Sequence, residues 1–334
     1  MGIFKGTSHK SRRSNKEISP IELSIEELPD LNDLNKEPAE QIKDDSGPNS
    51  NIDYYVSSDR KYKAADIKSY AKKTPPVHAI GITKIIAIMN QKGGVGKSTT
   101  AINLGCALGL KGKQVLVVDL DPQGNTTSGL GIEKNNLKYC IYDALLNNIT
   151  FSDVICADVS EGVDVAPATI NLAGAEVELV SEMARENRLK ALLGQYRGKY
   201  DYILIDCPPS LGLLTVNALV AADKLIIPIQ CEFYALEGVT KLLDSMKRVK
   251  NVLNPSLDIF GVLLTMYDGR TSLSKEVVQE VQDYFKEVAF KTIIPRNVKL
   301  SEAPSYGISI FELEPTSKGA IAYKELAKEV IDRG

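Results

Sequence analysis

Residues 84–100 read KIIAIMNQKGGVGKSTT, and the order of elements they imply decides the fold. The run from Lys84 to Met89 is apolar after its first residue and holds three isoleucines, a pattern that suits a short strand covered on both faces. Asn90, Gln91, Lys92, Gly93, Gly94, Val95 and Gly96 then make a glycine-rich loop, and from Lys97 a helical stretch runs to Leu110, where Gly112 can close it. Strand, glycine loop and helix in that order build a phosphate cradle. The glycines let the backbone curl so that successive N–H groups face an anion, and the helix N-terminus adds its positive end. Lys97 can neutralise β and γ oxygens, and the Ser98 hydroxyl can ligate Mg2+. Gly93, Gly94, Val95, Gly96, Lys97, Ser98 and Thr99 are therefore the candidate ATP-binding residues, with Ser98 also a candidate metal ligand.

Outward from this unit, short apolar runs recur at 114–119 (QVLVVD), 162–166 (GVDVA), 201–206 (DYILID), 224–229 (KLIIPI), 259–266 (IFGVLLTM) and 290–294 (FKTII), with helical stretches between them. Runs apolar on both faces imply a mostly parallel sheet with helices on each side, a three-layer α/β domain.

Residues 1–80 have a different character. Residues 1–16 carry five basic residues and no acid, whereas residues 17–53 carry eleven acids against Lys36 and Lys43. Segments this polar bury too little surface to offset chain entropy, so a disordered, charge-blocked extension is predicted over 1–80, with a short helix over 58–73 ended by the stiff run 74–77 (TPPV). The extension nets to zero, so the rest of the chain carries the whole formal charge of −3. Nucleic-acid binding therefore cannot rest on net charge and needs a local basic patch.

Composition narrows the chemistry. The 334 residues are 43% hydrophobic and 25% charged, and no run nears the roughly 18 apolar residues needed to span a bilayer. Five scattered cysteines without a C-x-x-C pair suit a reducing cytoplasm better than a disulfide framework or a zinc site. The two histidines, His9 and His78, precede the folded part, which excludes a Ser-His-Asp triad or a His-rich metal site beyond residue 80. Basic residues near the N-terminus are not followed by an apolar segment, so a secretory signal is not expected.

One loop residue departs from the common pattern. The spacing G-x-x-x-x-G-K-[ST] puts glycine at 91, where this chain has Gln91 followed by Lys92. Lys97 already serves one nucleotide. A second lysine is explained if it reaches the phosphate of a second bound ATP, with two subunits facing each other through their nucleotides; a lysine that faces solvent is the other reading.

The string KGGVGKST resembles the deviant Walker A box of the ParA/MinD superfamily of P-loop ATPases, in which the first lysine is the signature. Residues 118–125 (VDLDPQGN) and 294–304 (IPRNVKLSEAP) resemble the ParA/Soj partitioning branch. The similarity runs from about Lys84 to the C-terminus and leaves the first 80 residues outside. It implies a P-loop NTPase fold over residues 81–334, ATP and Mg2+ as ligands, and an ATP-dependent homodimer. It also implies nonspecific double-stranded DNA and a centromere-binding ParB-type protein as partners, with a cytoplasmic, nucleoid-associated location and no membrane.

Phosphoryl transfer to water needs a metal and a group that orients the water. The resemblance makes Lys92 and Asp121 the catalytic residues, Asp121 orienting water from the first switch. It makes Asp206, at the end of an apolar strand, a magnesium holder acting through a water. An acid at a strand end can equally be a cap or turn residue, and Asp119 keeps two readings, metal-associated or structural. Cys207 lacks an activating partner and reads as a small buried residue. By resemblance Pro295 and Asn297 lie against the adenine, with Glu232 and Phe233 as further candidates there. Of the basic residues Arg270, Lys275, Lys286, Lys291, Arg296, Lys299 and Lys318, the resemblance selects Arg270 and Lys299 as contacts to the DNA backbone. Lys299 and Ser98 stand where the family more often has arginine and threonine.

Two alternatives remain at this level. A MinD-like membrane ATPase would end in a basic amphipathic helix, whereas the final helix here balances Lys324 and Lys328 against Glu325 and Glu329. A metabolic or iron-sulfur carrier enzyme would need positioned thiolates or residues for a second substrate.

Overall fold

Strands that are apolar on both faces force helices onto both faces, and alternate residues of one strand then belong to different cores. The protein is described by a computed structural model over residues 82–334, apart from Asn148, Tyr234, Glu237 and Gly238. The expectations for the extension over 1–80 lie outside the described residues. Seven strands form one sheet: β1 (Lys84–Ile88), β2 (Val115–Asp119), β3 (Cys156–Ser160), β4 (Val163–Ala166), β5 (Tyr202–Asp206), β6 (Lys224–Gln230) and β7 (Asp258–Thr265), in the order β3-β4-β2-β5-β1-β6-β7. Every pairing is parallel except β3 with β4. The three-layer P-loop NTPase architecture expected from the sequence is the one observed.

Along β1, Ile85 and Ala87 enter one core while Ile86 and Ile88 enter the other. The longer helices are α1 (Lys97–Gly109), α2 (Leu213–Ala221), α3 (Val239–Val252), α4 (Ser272–Phe285) and α5 (Lys318–Arg333). Ile102 and Leu104 of α1 share a core with Tyr323, Leu326 and Val330 of α5. Leu214 of α2, Met246 of α3 and Val281 of α4 fill the opposite core. Most of the apolar face of α5 is thus buried on its own domain, with Ile321 left exposed, and among the described residues no helix is long and apolar enough to cross a membrane.

Two strand expectations need correction. Residues 156–160 form a strand that the sequence did not reveal. They are only part-buried, so they lack the two-faced apolar signature, and they pair antiparallel with β4 through a turn at Gly162 (φ 68°). Residues 290–294 are not a strand. Phe290 and Ile294 donate N–H groups to Val262 and Leu264 of β7, both at 2.9 Å. Between them, however, the N–H groups of Lys291 and Thr292 go to the Glu329 carboxylate of α5, at 2.9 and 3.0 Å. The Phe290 ring packs edge-on to Phe260, and a Cβ at Gly261 would meet it at 2.2 Å, so glycine is what lets the segment lie this close.

Glu329 also accepts the Thr292 hydroxyl at 2.9 Å and an Arg333 bond at 2.7 Å. Burial pushes its pKa up, but these donors outweigh burial and hold it below the ordinary carboxylate value. A depressed folded-state pKa contributes stability above the unfolded value, near 4.3, that is lost as pH falls through the folded value. Glu329→Ala should therefore cost about 1–3 kcal/mol in urea denaturation at pH 7, with a smaller cost at pH 3. An equal cost at both pH values would show that packing, not the charged hydrogen bonds, holds this segment.

Candidate nucleotide site

The glycine loop is shaped by two left-handed residues and tied down at three points. Gly94 (φ 74°) and Gly96 (φ 90°) supply the curl, and the Gly96 carbonyl accepts the Thr100 N–H at 2.9 Å to open α1. The buried Asn90 donates to the Pro228 carbonyl at 2.7 Å and accepts the Lys92 N–H at 3.0 Å. The Thr265 hydroxyl reaches the Val95 carbonyl at 2.9 Å. No side chain caps α1, so its first-turn N–H groups stay available to an anion.

Lys97 is buried and donates to the Lys92 carbonyl at 3.2 Å. Burial lowers its pKa, while the neighbouring Asp206 and Asp121 raise it. Lys92, by contrast, is exposed, an arrangement that suits both readings left open for it.

Parallel pairing of β2 with β5 sets Asp119 opposite Asp206 at the carboxyl end of the sheet. Both are fully buried. Burial raises both pKa values, and the charge of Asp119 adds to the effect on Asp206, against opposing hydroxyls of Thr126 and Ser98. The two acids differ in how they are satisfied. Asp119 accepts from the Thr127 N–H (2.8 Å), the Thr127 hydroxyl (2.7 Å) and the Asp121 N–H (3.2 Å), which is the pattern of a residue that shapes the loop. Asp206 accepts the Thr126 hydroxyl on Oδ2 at 2.7 Å; its buried Oδ1 has no partner within hydrogen-bond geometry, although the Ser98 hydroxyl acts on the same carboxylate.

An orphaned carboxylate oxygen among buried acids fits a cation held through water. No group of three or more metal-binding side chains exists among the described residues, so the protein alone makes no cage. That suits Mg2+, which commonly combines one or two protein ligands with waters and substrate phosphates. Asp121 lies in the loop after β2. Its Oδ1 accepts the Gln123 N–H at 2.9 Å and its carbonyl accepts the Gly124 N–H at 2.8 Å.

Thr126 and Thr127 are the functional residues that sequence reasoning missed. They follow Gly124 (φ 63°) in the helix Asn125–Gly129, and each sends its hydroxyl to a different strand-end acid. Thr127 also accepts the Ala168 N–H at 2.9 Å. Two adjacent threonines after an Asp-Pro-Gln-Gly turn were the available signal. Cys207 is buried with its pKa pushed well up by burial, as expected of an inert thiol.

The remaining candidates lie in the segments that follow β7 and precede α5. Pro295 bridges Tyr267, and Asn297 caps the short helix Val298–Glu302 by accepting the Lys299 N–H at 2.9 Å. Arg296 pairs with Glu232 at 2.9 Å, which ties the 295–297 segment to the end of β6. Arg270 and Lys299 are exposed, and each is paired with an acid close in sequence, Asp268 at 2.6 Å and Glu302 at 2.8 Å.

A family profile described as an AAA domain matches residues 83–259. The chain is 57% identical over 251 residues to the sporulation initiation inhibitor protein Soj of Bacillus subtilis, covering 75% of this chain and 99% of that protein. It is 50% identical over 250 residues to the chromosome-partitioning ATPase Soj of Treponema pallidum, covering 75% and 98%. Among solved structures, the cobyrinic acid a,c-diamide synthase of Mycobacterium smegmatis with bound ADP and magnesium matches with a TM-score of 0.66 at 40% identity, over 75% of this chain and 94% of that one.

Thr127→Val should leave the Ala168 N–H without its acceptor and remove one donor from Asp119. The expected cost is about 1–3 kcal/mol in thermal or urea denaturation, and an unchanged midpoint would show that the loop re-satisfies both groups.

Proposed function

Because the chain belongs to the Soj/ParA family of partitioning ATPases, we propose that it is an ATP-driven switch for DNA segregation, holding nonspecific DNA as an ATP-bound dimer and releasing it on hydrolysis. The chain is an ATPase that uses Mg2+. The observation that carries the chemical part is the conjunction of an uncapped α1 N-terminus, the buried Lys97 and the orphaned Asp206 oxygen at one end of the sheet. Identity of 50% over almost the whole of the Treponema pallidum chromosome-partitioning ATPase supports this biological role over the synthase role of the 40% neighbour.

In this reading the loop N–H groups from Gly93 to Thr99 and the Lys97 ammonium bind the phosphates. Ser98 and, through a water, Asp206 hold the metal, which when bound neutralises charge developing on the phosphate oxygens. Asp121 orients the attacking water and Asp119 fixes the Asp121 loop. Lys92 reaches a phosphate on the partner's nucleotide, which makes complete sites depend on dimerisation. Pro295 and Asn297 flank the base. Arg270 and Lys299 contact the DNA backbone, and a ParB-type protein stimulates hydrolysis and so sets the release time. A cytoplasmic, nucleoid-bound location follows from these partners.

The direct test is binding to nonspecific duplex DNA with ATP, ADP or no nucleotide, across a salt series. ATP-dependent binding that weakens with salt, by a slope of about 0.9 per phosphate contacted, is expected, and Lys92→Ala should lose both ATP-dependent dimerisation and that binding. ATP-independent binding, or none at low salt by an intact dimer, would overturn the proposal. For the chemistry, Asp121→Ala should keep ATP and DNA binding but lose most turnover; undiminished phosphate release would remove Asp121 from its role.

A further inference from the structure

Three parts of the proposed machinery meet in residues 265–271. Thr265, the last residue of β7, holds the Val95 carbonyl of the glycine loop. Tyr267 donates its N–H to the Ile294 carbonyl at 3.0 Å and accepts the Arg296 N–H at 2.9 Å, so it is stitched to the segment that carries Pro295 and Asn297. Asp268 follows directly. Its Oδ1 accepts the Arg270 N–H at 3.1 Å and Nε at 2.8 Å, and its Oδ2 accepts Nη2 at 2.6 Å.

The Arg270 side chain is 86% exposed, yet one of its two bidentate edges, Nε with Nη2, already grips a carboxylate. Phosphate and carboxylate compete for that edge, and the carboxylate repels a phosphate that approaches the other one. A second arginine, Arg296, is tied by its backbone N–H to Tyr267, the residue before this acid. Hydrogen bonds from Arg270 hold the Asp268 carboxyl below its ordinary value, and the charge of Arg296 adds to this. Arg296 is itself paired with Glu232 at 2.9 Å. Two acid–arginine pairs thus lie on adjoining segments joined by the Tyr267 backbone bonds.

Taking Arg270 as a DNA contact, a premise that rests on the proposed function, we propose that Asp268 gates DNA binding: it holds the Arg270 guanidinium in an internal pair and passes to Arg296 when nucleotide engages the 294–297 segment, which frees Arg270 for a backbone phosphate. The exchange needs no change in net charge. It moves one positive charge from an internal pair to the outer surface. Tyr267, bonded on both sides to the 294–296 backbone, carries the displacement to its neighbour Asp268.

The experiment measures binding of the full chain to nonspecific duplex DNA without nucleotide and with ATP. Asp268→Asn keeps an oxygen to accept the Arg270 N–H, so the turn is preserved while the charge is removed. Without nucleotide it should bind DNA about tenfold more tightly than the wild type, the scale of one charge-assisted contact, with a salt slope steeper by about 0.9 for each phosphate gained. ATP should then add less than it does for the wild type. Glu232→Gln, which releases Arg296 to take Asp268, should shift nucleotide-free binding in the same direction, and adding Arg270→Ala to Asp268→Asn should erase the gain. If Asp268→Asn binds no more tightly than the wild type while Arg270→Ala weakens binding with ATP, the gate is overturned and the DNA contact stands. If Arg270→Ala leaves ATP-dependent binding intact, the premise fails and the gate falls with it.

Discussion

The register of β2 against β5 is the constraint on which the site depends, because it sets two carboxylates side by side, fully buried, at the end of the sheet. Buried acids are costly unless hydrogen-bonded or paired with a cation. The surrounding structure meets that demand unevenly. Asp119 is satisfied by the loop and helix that follow its own strand, whereas Asp206 keeps one oxygen without a donor. The first acid folds the loop bearing Asp121, while the second keeps an oxygen without a protein donor. The two strand ends therefore differ in what their acids are satisfied by, which is what the proposed division between shaping the loop and holding the cation rests on.

Much of this was legible in the sequence, and the limits have physical causes. The strand-loop-helix order around residues 84–100 could be read because a two-faced apolar run, a glycine cluster and a Lys-Ser pair each carry a separate signal. Strand β3 could not, since its half-exposed residues show neither a buried run nor clean alternation. The 290–294 run has strand composition but gives two of its N–H groups to Glu329, 35 or more residues along the chain. Local pattern cannot report such a competitor. Thr126 and Thr127 were missed for the same reason: threonine in a short helix has no visible purpose until the fold brings Asp206 and Asp119 over it.

The end of β7 gives the domain a mechanical property that its motifs do not announce. Thr265 touches the glycine loop, Tyr267 touches the segment proposed to face the base, and both contacts fall within three residues of one strand end. β7 pairs with β6 up to its last residue, Thr265 opposite Gln230, with one irregularity near its start. Residues 268–270 follow directly on both contacts.

The chemistry of the charged groups then separates two kinds of work. Lys97 and the strand-end acids are buried, where a charge that loses its hydrogen bonds is left uncompensated, so their arrangement is costly to disturb. The pairs of Arg270 with Asp268 and of Lys299 with Glu302 are exposed, where solvent and salt screen each partner and exchange costs little. Exposed pairs are poor evidence for stability. Their low cost of exchange is what the proposed gate requires, since a small displacement of the acid is enough to change which partner it holds.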